Sequence, residues 1–569
     1  MKRLTTTLFL CLIALALTAC SQDAPDNGPA PTEEAAPAEQ AMQPSPALAE
    51  QLLARIDAEP IMLWLSLEPL PQALLDQLWA RMALTGELSQ EAYEDAAEEI
   101  DDPLGRALIR ELGELDSAEA WAERGIEIAG VAGLHTVGIY PFMHWQLSDR
   151  AAFEATLERI EAEAGIGFTR KTVDSETLIW HDLGQVAVAI HHDDAFMTAA
   201  LIPERPELMR RVANLDQAAT AMTLDQVHAF NSERGFRNDS AGYIDFQRLL
   251  NTLLTGDDEM LVAARSEGEL SMFANDPACQ QEMRSLTGIF PRQSFGTTDA
   301  TDRSMTILTR LETSADFGQS LAALADTPMS LDIERRGMVS TAMSLNLVAA
   351  RDFGRDLVAG WIENPPQCML FSSIAENAAE WQLALNQPIP PLVTNMHGLR
   401  LQIDEMTLEN GQLDDAMGTL ALFMRNPQMM VGMAQMFSPE LAALNLTPGS
   451  GPQELPPGLV PNLEGVSAWL GLSDNALGMA IGSSEGLTAA LEPGEPDSRI
   501  FSAGVDLAAY AELVKLGLSA LPDGPADEID TAETDEAMAL MASIYQYVYK
   551  AVHLGEPGID LVLRFDLAD

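Results

Sequence analysis

The strongest constraint on how this chain folds is a recurring local unit, an apolar strand that ends near Asp or Asn and runs at once into a helix. The helix carries aromatic or leucine residues at helical spacing. The unit reads MLWLSLEPLPQALLDQLW from Met62 to Trp79, HWQLSDRAAFEATLERI from His144 to Ile160, GYIDFQRLLNTL from Gly242 to Leu253, MSLNLVAARDFGRDLVAGW from Met343 to Trp361 and GVDLAAYAELVKL from Gly504 to Leu516. The first copy departs from the pattern, with Glu68-Pro69 in place of Asp or Asn. Alternation specifies the strand and i, i+3, i+4 spacing the helix. A second unit is strand, acidic turn, strand: Val186, Val188 and Ile190, then Asp193-Asp194, then Phe196 to Leu201. It has a counterpart in Trp469, Leu470 and Leu472, then Asp474-Asn475, then Leu477 to Ile481. Further on, AGYIDFQRLL matches AGVDLAAYAELV, and Met305 to Leu311 matches Ile559 to Phe565. These correspondences keep their order. The expectation is an α+β fold of two related halves, 48–325 and 330–569, each an antiparallel sheet with helices packed on one face. The alternative is that strand-helix units look alike in any α+β protein.

The amino terminus has a different character. Lys2 and Arg3 precede an apolar stretch from Leu8 to Leu17, and Leu17-Thr18-Ala19-Cys20 follows. A basic start, a short apolar core and small residues before a cut make a signal peptide, 1–19. The core is about ten residues, where a membrane-crossing helix needs roughly 20. The four residues ending at Cys20 resemble the lipobox of bacterial lipoproteins, in which the cysteine thiol receives diacylglycerol and the new amino group is acylated. That resemblance implies lipidation at Cys20, and Ser21 in place of Asp implies the outer membrane, facing the periplasm. Residues 20–47 hold Ala, Pro, Glu and Gln with almost no large apolar residue, too little to bury, and are expected to form a disordered tether.

Charge excludes whole classes of partner. The formal net charge is -54, from 86 acidic and 32 basic residues. Nucleic acid requires clustered Lys and Arg and is excluded as a partner. Only four lysines occur, at 2, 171, 515 and 550, so a basic membrane-docking face is excluded too. The expected partners are the membrane, through the lipid anchor, and an apolar ligand or envelope protein. The acidity fits either a saline habitat, where salt screens self-repulsion, or a cation-binding surface.

Cys11 and Cys20 belong to the signal region, leaving Cys279 and Cys368. Two cysteines in an oxidising compartment point to one disulfide, here linking the two halves, with two free buried thiols as the alternative. Cys279 is followed by Gln280-Gln281-Glu282 and Phe290-Pro291-Arg292. Cys368 is followed by an alanine-rich helix, Pro388 to Pro391 and Gly398-Leu399-Arg400, and Asn426-Pro427 then opens a Met-rich segment. This arrangement is similar to a set of uncharacterised Gram-negative lipoproteins with such a cysteine pair. The resemblance implies no activity.

Three constellations bear on chemistry. Gly482-Ser483-Ser484-Glu485-Gly486 matches G-x-S-x-G where a strand passes into a helix, as a nucleophile elbow requires. The helix is short, the preceding strands form a meander, and His553 is the only downstream histidine. His181, Asp182, His191, His192, Asp193 and Asp194 are the densest set of metal-ligand types, but adjacent His191 and His192 point to opposite faces of a strand. Asp193-Asp194 reads as the turn. Phosphate-loop, zinc-protease, dinucleotide and EF-hand motifs do not occur. No catalytic residue, metal or cofactor is therefore assigned.

The third is a methionine stripe. Asn426 can cap and Pro427 can open a helix whose Met429, Met430, Met433, Met436 and Phe437 share one face. Such a stripe is either core or an adaptable binding surface. The expected function is a non-enzymatic envelope lipoprotein, a binding or scaffold module for an apolar ligand or partner protein using that stripe. The alternative is a serine hydrolase using Ser484.

Overall fold

The computed structural model describes residues 46–568, apart from 83–85, 219, 268–269, 334–336, 410–411, 458, 460–465 and 512–540. The expected signal peptide, Cys20, the expected tether up to residue 45 and the end of the last strand-helix copy lie outside the described residues. The fold is mixed α+β, with antiparallel strand pairing. The chain forms two compact units. The first holds residues up to Leu249, with Ser294–Leu308 and the segment from Asp566; the second holds Leu250–Gln293 and Thr309–Phe565.

The first unit is built on strands β1 (Met62–Ser66), β2 (Ala132–Val137), β3 (Tyr140–Gln146), β4 (Thr169–Val173), β5 (Glu176–Asp182), β6 (Ala187–His192), β7 (Phe196–Ile202) and β8 (Ala241–Asp245). Their order across the sheet is β4-β5-β6-β7-β3-β2-β1-β8. Gly138, at φ 60°, supplies the left-handed residue of the two-residue hairpin between β2 and β3. The Asp193 carboxylate accepts from the backbone amides of Ala195 and Phe196, both at 2.9 Å, so the acidic pair does form the β6–β7 turn. The helices used below are α1 (Pro46–Leu53), α2 (Pro103–Gly113), α3 (Ala118–Glu123), α4 (Arg150–Ala164) and α5 (Leu224–Arg234).

Asp or Asn at the strand-helix junction has a physical role: it caps the helix that follows. Asp149 accepts from the amides of Ala151 and Ala152, Asp245 from Arg248, Asn346 from Ala349 and Asp506 from Ala509. Each satisfies an orphan donor of the first turn, worth about 1 kcal/mol. The departing copy has Pro71 immediately before its helix, Gln72–Met82.

Helices cover both faces of this sheet, which corrects the expectation of a single covered face. Leu63 and Leu65 join one core with Leu52, Leu53 and Ile56 from α1 and its end, and Val227 from α5. Trp64, between them, joins a second core with Trp121 of α3, Phe153 and Leu157 of α4, and Trp145. Leu63, Leu65 and Leu67 of one parity and Met62 and Trp64 of the other are apolar, with Ser66 the exception, the pattern of a strand buried on both sides.

The second unit carries β11 (Val339–Ser344), β12 (Met396–Glu409), β13 (Gln412–Met424), β14 (Gln453–Glu454), β15 (Ala468–Leu472), β16 (Ala476–Ile481), β17 (Arg499–Asp506) and β18 (Tyr545–Gly555). The intervening β9 (Arg292–Ala300) and β10 (Ser304–Glu312), and the last strand β19 (Gly558–Leu567), complete the set. The second unit's sheet order is β14-β15-β16-β13-β12-β11-β17-β18. Its helices include α6 (Pro277–Ile289), α7 (Leu347–Glu363), α8 (Ser372–Leu385) and α9 (Pro427–Phe437).

Cys279 of α6 and Cys368 are bonded, 89 residues apart in sequence, and both sulfurs are buried. Glu282, one turn on from Cys279, accepts from the amides of Gln367 and Cys368, fastening the same two segments. Both cysteines lie in the second unit, so the bridge closes that unit internally and does not tie one unit to the other.

Candidate functional site

The first unit contains an apolar cavity of about 190 Å³ between one face of its sheet and the helices over it. The floor is Met143 of β3, Val188 and Ile190 of β6, and Met197 and Ala199 of β7. Strand alternation aims these side chains at one face, since Met143 and Ile190 both pair with Ala199. The roof is Leu108 and Leu112 of α2 with Phe153, Leu157 and Ile160 of α4. In α4 the spacing 153, 156, 157, 160 keeps one stripe toward the sheet, and all four of these residues are buried. A void of this size left empty forgoes on the order of 5 kcal/mol of packing. Apolar cavities of comparable volume stay dry and take up small apolar molecules.

Three polar residues reach the cavity, Glu111, Arg124 and Thr156. Arg124 Nε lies 2.7 Å from Glu111 Oε1, its Nη2 lies 2.6 Å from Glu114, and its Nη1 donates to the Ala120 carbonyl at 3.0 Å. Arg159 donates to the same Glu111 oxygen at 2.7 Å and to Thr156 Oγ1 at 3.1 Å. The buried Arg124 and Glu111 are thus a paired and bonded cluster, not isolated charges.

The methionine stripe lies elsewhere. In α9 the buried residues are Pro427 and Val431, one turn apart, and Val431 packs with Leu446 and Leu472. Met429, Met433, Met436 and Phe437 are 45, 37, 74 and 86 % exposed, and Met430 is half-buried. The core alternative for this stripe is overturned: the helix docks through its other face. Pro427 opens the helix as expected, but the Asn426 side chain makes no capping bond. Of the fourteen exposed large apolar side chains among the described residues, all but Ile166 belong to the second unit.

At Gly482-Ser483-Ser484-Glu485-Gly486 the two glycines take φ 77° and 85°, and only a four-residue helix, Leu487–Ala490, follows. The strand before it, β16, is antiparallel to both neighbours. His553 Nδ1 is engaged by Ser498 Oγ at 3.1 Å, so the histidine that the hydrolase alternative requires is bonded to another serine.

The histidines of β5 and β6 disperse over separate carboxylates. His181 Nε2 is 3.0 Å from Asp102, His191 Nε2 is 3.2 Å from Glu176, and His192 Nδ1 is 3.8 Å from Glu154. Among the described residues no three His, Cys, Asp or Glu side chains gather as a metal site.

A histidine pair that the sequence did not single out is buried in the first unit. His135 Nε2 and His144 Nε2 are 3.0 Å apart, and His144 Nδ1 is 2.9 Å from Thr198 Oγ1. Burial, reinforced by the Arg211 charge, pushes His135 down to about 3. Burial, with His135, Arg55 and Arg211 adding to it, holds His144 well below the usual histidine range. Both rings are therefore neutral near pH 7, one donating and the other accepting.

No known protein family, curated protein or solved structure matches this chain.

Proposed function

We propose that this protein is a lipid-anchored envelope protein that holds an apolar ligand in the cavity of its first unit, without catalysing a reaction. The carrying observation is the cavity itself: aliphatic, methionine and phenylalanine side chains from two helices and five strands around about 190 Å³, with its few polar groups already paired. The Leu17-Thr18-Ala19-Cys20 sequence supports attachment through Cys20, with Ser21 favouring the outer membrane facing the periplasm, and the residues around Cys279 and Cys368 support membership of the uncharacterised lipoprotein set. Among the described residues no helix is long and apolar enough to cross a membrane.

The two halves are read as copies of one unit. What supports this is a shared pairing scheme: β1 lies between β2 and β8 as β11 lies between β12 and β17. The run β2-β3-β7-β6-β5 has its counterpart in β12-β13-β16-β15-β14. Register agrees as well, Met62 with Ile244 and Val339 with Val505, each one residue before a capping Asp.

A second role is favoured by one observation, the outward methionine face of α9. Met429, Met430, Met433, Met436 and Phe437 form an adaptable apolar surface for a partner protein of the envelope. The test of the main proposal is solvent extraction of protein purified from membranes, followed by mass spectrometry. One class of apolar compound at a fixed ratio to protein is expected, and its absence from Ala199→Phe protein would locate it in the cavity. Protein that neither carries nor takes up any apolar compound would refute the proposal. Mass spectrometry of the mature amino terminus should find acyl chains on Cys20; an unmodified terminus elsewhere would end the lipoprotein assignment.

A further inference from the structure

We infer that the first unit's cavity recognises a hydrocarbon tail alone and leaves the head group, whatever its charge, outside. This rests on the apolar-ligand reading of the same cavity and narrows it to a ligand class: a single-chain amphiphile gripped by its tail.

The inference comes from the bonding of the three polar residues that reach the cavity. Arg124 has its Nε on Glu111, its Nη2 on Glu114 and its Nη1 on the Ala120 carbonyl, so all three guanidinium nitrogens are committed. Glu111 Oε1 accepts from both Arg124 and Arg159. The Thr156 hydroxyl donates to the Ala152 carbonyl and accepts from Arg159. Two arginines meet two carboxylates, so the cluster carries no surplus charge to attract an anion or a cation. A carboxylate or phosphate drawn in would have to displace Glu111 from Arg124 and strand a buried carboxylate, and an ammonium would meet a carboxylate already neutralised by two arginines. The rest of the lining is aliphatic, methionine, proline or phenylalanine. Affinity then comes from buried methylenes, and the head group contributes only what it does in solvent.

The experiment uses the full mature chain, delipidated, with a neutral fluorescent naphthylamine as the reporter. It is displaced in turn by dodecanol, dodecanoate and dodecyltrimethylammonium, which share one tail and carry neutral, negative and positive heads. About 1 M salt shortens the Debye length to roughly 3 Å and removes the pull of the acidic surface on the cation. The three affinities should agree within about fivefold, the spread that solvent-exposed charges produce. Below the tail length that fills the cavity, shortening the alcohol should weaken binding by about fourfold for each methylene removed. A preference of about tenfold or more for dodecanoate or for the ammonium is what a charge-assisted bond to Arg124 or Glu111 would give, and it would overturn the inference while leaving the apolar-ligand reading intact. If neither the reporter nor any amphiphile binds, the apolar-ligand reading itself falls, and the inference with it.

Discussion

Replacing Ala199 by leucine adds three carbon atoms to a strand position whose side chain faces the cavity, between Met143 and Ile190. If the space is empty in the ligand-free protein, those atoms move into it. At about 0.8 kcal/mol for each buried carbon they stabilise the first unit by about 2 kcal/mol, recovering part of the roughly 5 kcal/mol that the void forgoes. For a unit of this size that corresponds to an upward shift of roughly 4–8 °C in Tm. Ligand narrows the difference. Wild type at a hundred times its Kd gains about 2.7 kcal/mol, whereas the leucine variant, its site partly filled, gains less. Differential scanning calorimetry of delipidated wild type and variant, with and without added dodecanol, reads both effects. If Ala199→Leu instead lowers stability by about 1–3 kcal/mol in the absence of ligand, the expected cost of overpacking, then the cavity does not exist as open space in solution and the proposed binding site fails.

The remaining predictions concern other parts of the molecule. His135 and His144 have folded pKa values depressed from about 6.5, so the unfolded chain binds more protons between pH 6.5 and 3. Their contribution is complete above pH 6.5 and is lost as pH falls toward 3, by up to roughly 1.4 kcal/mol per pH unit for each ring. Urea titrations at stepped pH should show that slope, and a flat profile for the first unit would contradict the neutral pair. Reducing the Cys279–Cys368 bond opens a loop of about 90 residues and should cost up to roughly 4.6 kcal/mol by chain entropy, seen as a lower denaturation midpoint of the second unit. Two titratable thiols there in unreduced, unfolded protein would rule the bond out. Met433→Asp on the exposed face of α9 should change stability by less than about 0.5 kcal/mol while abolishing partner capture from envelope extracts. A loss of several kcal/mol would show that the face is packed.

Junctions and turns were legible in the sequence because their signals are local. Asp149, Asp245, Asn346 and Asp506 stand at strand ends and cap the next helix, and Asp193 turns β6 into β7. The cysteine pairing was legible because only one pair was available. The helix layers were not. Leu63, Trp64 and Leu65 are apolar whichever way they point, so the segment gives no sign of which face is covered. The cavity was not legible either, because Leu108, Met143, Phe153, Ile190 and Met197 come from five separated segments and each reads as ordinary core. For α9, helical periodicity groups the methionines on one face. Periodicity is the same for a face turned inward or outward, and only the packing of Val431 against Leu446 and Leu472 decides between them.

The single bond between Cys279 and Cys368 also bears on how the protein is made. Once a lipid occupies the Cys20 thiol, as proposed, the exported chain has two sulfhydryls and one way to join them. In a chain exported amino terminus first, as that proposal implies, Cys279 would cross the membrane before Cys368, 89 residues behind it, with no rival sulfhydryl in the same chain to capture it. Biogenesis then needs an oxidase to accept two electrons, but no isomerase to undo wrong pairings. Blocking acylation restores a third thiol, and with it two incorrect pairings.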